Sequence, residues 1–122
     1  MNPEPLDDNS QFGAQFGTSI FAKEFMARDT FKRYFEGQQE MIKFAVSVAI
    51  KNNLQPAERD QTFKNAHNIN DVDKTGQLMA LVKTNYPNEP PAKIVQGLAE
   101  SGFRYLDEQI GQRGLTLDEF FQ

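Results

Sequence analysis

Between Gln38 and Asn53 the apolar side chains recur at helical spacing on two sides at once. Met41, Phe44, Ala45, Val48 and Ala49 form one stripe, and Ile42, Val46 and Ile50 form a second, so a helix over 38–53 is apolar around most of its circumference. Asn52-Asn53, Leu54 and Pro56 mark its end. The pattern predicts a central helix. A chain this small can hardly enclose a helix on every side, so Ile42, Val46 and Ile50 are expected to face a partner subunit.

Upstream, Thr18 to Phe25 is rich in β-branched and aromatic residues but alternates poorly, and both a short strand and a helix start are compatible with it. Asp29 or Thr30 is a candidate N-cap for a helix carrying Phe31 and Phe35 one turn apart, and Gly37 stands where a helix C′ glycine would. Downstream, residues 55–70 are polar apart from Phe63 and Ile69 and are expected to be a connector with at most a weak helix. Asp73 or Thr75 then caps a helix whose face is Leu78, Leu81, Val82 and Tyr86, stopped by Pro87. Pro90-Pro91 opens another, with Ile94, Val95, Leu98 and Ala99 buried and Ser101-Gly102 as its end; Phe103, Leu106 and Ile110 give a further amphipathic helix.

Both ends of the sequence carry apolar side chains without an obvious core. Phe12 and Phe16 lie in a small duplication, Gln-Phe-Gly-Ala followed by Gln-Phe-Gly-Thr, and either pack back on the domain or dock on another subunit. At the other end Thr116 and Glu119 make a capping box, with Leu115 and Phe120 as its staple, but the sequence stops at Gln122. A single turn is not stable alone, so Leu117, Phe120 and Phe121 need a surface, either the domain's own or a partner's. The expected architecture is therefore mainly α, a small helical domain of about five helices, with one short N-terminal strand if residues 18–25 take that form. It divides into a flexible arm over 1–17, a strand/helix-helix unit over 18–54, a connector over 55–70 and a helical C-terminal part over 71–122.

Composition narrows the chemistry. With no Cys, disulfides, thiolate nucleophiles, zinc knuckles and iron–sulfur clusters are excluded, and one His excludes a multi-His metal site. No apolar run approaches the roughly 20 residues of a membrane helix, and the acidic start lacks a secretory signal's basic and apolar regions. A cytoplasmic protein without a membrane partner is expected. His67 lies in a polar stretch and is expected to be a solvated loop residue; no G-x-S-x-G elbow surrounds any Ser, and no phosphate-binding glycine loop is present. The acidic residues fall at caps and outer helix faces, where solvation explains them. Asp71 to Leu78 matches the start of a calcium loop, with Asp71, Asp73 and Thr75 as ligands and Gly76 at the turn, but Val82 occupies the position of the bidentate acid. Helix capping is the simpler reading.

Charge is uneven. Six basic against four acidic side chains put residues 23–51 at +2, which leaves −6 for the remainder of a chain whose net charge is −4. A possible strand, a helix, a glycine turn and a long apolar helix over residues 18–54 resemble, in element order, the ribbon-helix-helix superfamily. That resemblance implies two chains pairing their strands into a ribbon for the DNA major groove, with the second helices as dimer core. Thr18, Lys23, Arg28, Lys32 and Arg33 would then contact DNA. The preferred expectation is instead a non-enzymatic binding or assembly module, a homo-oligomer or a subunit of a larger complex, with no cofactor and no evident small-molecule substrate. Its contacts would be Phe12, Phe16, Ile42, Val46, Ile50, Leu117, Phe120 and Phe121.

Overall fold

The structure, a computed structural model, describes residues 15–58, 63 and 65–113. Strand β1 (Gln15–Thr18) leads into helices α1 (Ile20–Met26), α2 (Asp29–Lys32) and α3 (Gln38–Lys51). Strand β2 (Asn65–Asn68) follows, then α4 (Ile69–Val72), α5 (Gln77–Asn85) and the long α6 (Pro91–Arg113). The fold is mainly α, as the periodicity predicts, with, among the described residues, one two-stranded antiparallel sheet in which Gln15 faces Asn68 and Thr18 faces Asn65. The segment over 18–25, compatible with strand or helix start, is helical from Ile20, and only Thr18 belongs to the strand. Ser19 accepts the amide of Ala22 at 3.0 Å, capping α1 directly after the strand ends.

Two helices of the sequence reading are one in the structure. Ser101-Gly102 does not end a helix; α6 runs through it for 23 residues. Gly102 is there for space rather than for termination, because a Cβ on it would overlap the carbonyl of Ala45 in α3. Backbone thus meets backbone where α3 and α6 cross, the closest approach two helices can make. From Ile94 to Glu100 every residue of α6 is buried, and α6 touches α3, β1, α1 and α5. The central helix is therefore α6, and α3 is its main neighbour.

That arrangement also covers α3. Ile42 and Val46 are fully buried and Ile50 half-buried against the chain's own core, so the second stripe is not a free face for a partner. The expectation fails because residues 65–70, read as connector, supply β2 and the start of α4, and Ile69 and Val72 of α4 join the core beside α3. Gly37 precedes α3 as its N-cap instead of closing a helix. The end of α3 is as read. Asn53 adopts the left-handed conformation (φ 57°), Leu54 N–H donates to Ala49 O at 2.9 Å and Asn53 N–H to Ile50 O at 3.1 Å, a Schellman closure with Asn at C′.

After it, residues 54–58 lie as an extended strap along α6. Tyr105 Oη donates to Asn52 Oδ1 (3.2 Å), Ser101 Oγ to Gln55 O (2.5 Å) and Ala57 N–H to Gly97 O (3.0 Å), one anchor per turn of α6. Gly97 leaves room for it, since a Cβ there would come within 2.6 Å of Ala57 O.

Filling the crossing should be costly. Gly102→Ala is expected to destabilise the fold by about 3 kcal/mol, the upper range for overpacking. Gly37→Ala, whose Cβ would meet only the end of the flexible Gln39 side chain at 3.3 Å, should stay within about 0.5 kcal/mol. Urea unfolding of both variants checks the contrast, and equal midpoints would remove the crossing from its central place.

Candidate functional site

The polar chemistry of the interior is concentrated on one face of α6. Gln96, Glu100 and Arg104 follow at four-residue spacing, which stacks them along the helix toward the β1–α1 junction. Gln96 Oε1 accepts the backbone N–H of Gly17 at 2.7 Å. Ser19 Oγ donates to Glu100 Oε1 at 2.6 Å while accepting from Ala22, and Arg104 Nε donates to Glu100 Oε2 at 2.5 Å. Ser19, Gln96 and Glu100 are at most 3% exposed. The expectation that acids are solvated fails for Glu100, and also for Asp73. Burial of a carboxylate is tolerated because both oxygens have donors, one of them the guanidinium.

Ser19 and Glu100 are a hydroxyl and a carboxylate in hydrogen-bond contact, but their oxygens are all engaged: the hydroxyl donates to Glu100 and caps α1, and the carboxylate accepts from Ser19 and Arg104. Their role is to lock β1 and α1 onto α6. Asp73 has an equally structural task. Its two oxygens accept Leu78 N–H (2.9 Å) and Met79 N–H (2.8 Å), while Gly76 turns the chain at φ 79°. The carboxylate of the calcium-like stretch is thereby spent on capping α5. Among the described residues, no group of three or more His, Cys, Asp or Glu side chains could hold a metal ion.

His67 is not a solvated loop residue. It sits in β2, half-buried, its ring stacked on Phe16 at 5.6 Å between centroids and its Nε2 3.3 Å from Thr18 Oγ1. Loss of hydration holds its pKa below the ordinary histidine value. Phe16 is itself buried and packs back on the domain, so it is not an exposed docking residue, and β1 starts inside the stretch read as an arm. Thr18 is 3% exposed and turned inward, which removes it as a reader of DNA. Phe12, Leu117, Phe120 and Phe121 lie outside the described residues.

Of the residues expected to contact DNA, Lys23, Arg28, Lys32 and Arg33 stay on the surface. Arg104 lies over the Phe21 ring (4.6 Å), Phe21 stacks on Phe25 (6.2 Å), Arg28 lies over Phe25 (4.7 Å) and reaches Asp107 at 2.6 Å. A ladder of two guanidinium groups and two rings thus runs across α1 and α6. Ile20 stands beside it, 54% exposed, and Lys23, Lys32 and Arg33 are exposed on the neighbouring turns. Both members of the Arg28–Asp107 pair are more than a third exposed, so the pair adds little stability.

Sequence reasoning missed Gln96 and Glu100, and the one signal for them was a Gln and a Glu inside an otherwise apolar helical run. No protein-family model matches the chain, and no curated protein or solved structure matches it. Among the described residues no helix is long and apolar enough to cross a membrane.

Ser19→Ala should cost about 3 kcal/mol, because it removes the α1 cap and leaves Glu100 with one fewer donor; Ser47→Ala, on the exposed side of α3, should be near neutral by the same unfolding measurement. For His67 the sign follows from the lowered pKa. The unfolded chain takes up a proton at the ordinary value and the folded one resists it. The contribution is therefore complete above about pH 6.5 and is lost as the pH falls through the folded-state value. The melting-temperature difference between wild type and His67→Gln should shrink or reverse between pH 8 and pH 5; a constant difference would contradict the assignment.

Proposed function

We propose that this protein is a non-enzymatic binding module, and that it meets a partner protein on the face built by α1, α2 and the middle of α6. The reading rests on the Arg104–Phe21–Phe25–Arg28 ladder beside the exposed Ile20. Arginine and aromatic side chains are the groups that dominate the cores of protein interfaces. Here the guanidinium planes are already held over the rings, so little side-chain freedom remains to be lost on docking. The partner surface is apolar and acidic, to match Ile20 and the basic residues. A second copy of the chain qualifies as well as a different subunit, because the acidity of this protein lies away from residues 23–51. The cysteine-free composition fits a cytoplasmic setting.

Duplex DNA is the second reading. Lys23, Lys32 and Arg33 are exposed and could meet phosphate, although Lys32 has Asp29 at 3.9 Å and Arg33 lies over the Tyr34 ring. It loses the ribbon, however. Thr18 is buried, and β1 pairs with β2 of its own chain.

Sedimentation equilibrium and co-purification from the native host distinguish these readings. Wild type is expected to self-associate or to retain a partner, and Ile20→Asp to weaken that association about tenfold or more with an unchanged melting temperature. A monomer at high concentration whose co-purifying proteins do not change in Ile20→Asp would overturn the proposal. A gel shift at low salt on random duplex, steeply lost with added salt and in Lys32→Ala and Arg33→Ala, would transfer the face to DNA.

A further inference from the structure

Gln96 uses only half of its amide within the fold. Its Oε1 is fixed by the Gly17 N–H, which orients Nε2 away from that bond, and among the described residues Nε2 donates to no acceptor. The side chain is nonetheless 2% exposed. Leaving an amide N–H group buried without an acceptor is unfavourable, so the position calls for a partner. Gln96 lines a cleft of ≈ 570 Å³ between the strap, the α5–α6 turn and the head of α6.

The cleft contains charges of both signs that the fold leaves unused. Lys93, one turn before Gln96 on α6, is exposed, and so are Glu58 at the end of the strap and Glu89 in the turn. None of the three forms an ion pair with a described residue. Tyr86 and Ile94 give the walls their apolar part. The volume lies within the range of small-ligand pockets, where apolar walls supply contact and a few convergent polar groups set orientation. A simple anion would meet Gln96 and Lys93 but be repelled by two carboxylates; a simple cation would leave the Gln96 amide unsatisfied. A ligand with a carboxylate at one end and an ammonium at the other satisfies every group.

We propose that this cleft binds a zwitterion of about dipeptide size, its carboxylate accepting from Gln96 Nε2 and Lys93 Nζ and its ammonium donating to Glu58 and Glu89. The site is separate from the α1–α2 face and does not depend on the reading given for it.

Nuclear magnetic resonance titration of the full chain tests it, using L-alanyl-L-alanine, its N-acetyl form and its C-terminal amide, and following the Gln96 side-chain N–H signals and the backbone amides of Lys93 and Tyr86. The zwitterion is expected to shift these signals saturably, the amide form to leave them in place, and the acetyl form to bind more weakly. Lys93→Ala, a surface change that leaves the Gln96–Gly17 bond intact, should weaken binding about tenfold, and Glu89→Gln should narrow the gap between the zwitterion and its acetyl form. Absence of any saturable shift would mean that water alone satisfies the Gln96 amide and would overturn the proposal. Shifts indifferent to amidation of the carboxylate, or unchanged in Lys93→Ala, would overturn it equally.

Discussion

Everything in this fold hangs on the contact between Gly102 of α6 and the Ala45 carbonyl of α3. Side chains at a normal helix crossing keep the axes about 8–10 Å apart. With no side chain on Gly102 and only a methyl on Ala45 the backbones meet, and the larger residues around the crossing then reach past it. Phe103 lies next to Gly102 and closes a triangle of rings with Phe25 at 5.7 Å and Phe31 at 6.2 Å, those two being 4.7 Å apart between centroids. Phe31 in turn touches Phe35 and Phe44. The small residues at the crossing therefore decide where the aromatic cluster forms, and that cluster seats α1 and α2.

Much of this was legible along the chain and some of it was not, for identifiable reasons. The long helix at 38–53, its Asn-based closure, Pro91 as the start of α6 and the α5 stop before Pro87 follow from local rules, in which a residue and its near neighbours carry the information. Ser101-Gly102 was misread because a glycine needed for a distant close approach looks, within its own helix, like one needed for a turn. Residues 65–68 were misread because a four-residue strand of Asn, Ala, His and Asn has no apolar alternation; it pairs only because β1 offers it a ladder. The two-sided helix posed a third difficulty. Periodicity says that Ile42 and Val46 must be covered, and says nothing of whether the cover is another chain or another part of this one.

Candidate sites were less legible than the fold. Lys23, Lys32 and Arg33 are exposed, as sequence charge suggests, whereas the ladder of Arg28 and Arg104 on Phe25 and Phe21 depends on α1 lying across α6, about eighty residues away in sequence. Gln96 and Glu100 were invisible for the same reason: their partners, Gly17 and Ser19, are just as remote. Motif reasoning fared better where all parties are close in sequence, as in the 71–78 stretch, where Asp73 caps α5 from five and six residues upstream.

The buried polar rungs of α6 also supply what its apolar contacts lack. An apolar seam between a helix and a flat element tolerates a slip of one turn, since Ile94, Leu98 and Ala99 would still find carbon to touch. A hydrogen bond does not slip. With Gln96 on Gly17 N–H and Glu100 on Ser19 Oγ, a one-turn displacement would leave a buried carboxylate and a buried amide without partners, at a cost comparable to a large share of a small domain's stability. The strap repeats the logic on the other side, with Asn52, Gln55 and Ala57 each tied to one turn. Register thus enters from both sides of α6, and the cleft between the strap, the α5–α6 turn and the head of α6 is framed by those bonds. A cleft supported in this way keeps its geometry whether or not it is occupied, which is the condition under which a donor without an acceptor among the described residues, as Gln96 Nε2 is, would favour a ligand over collapse onto the protein.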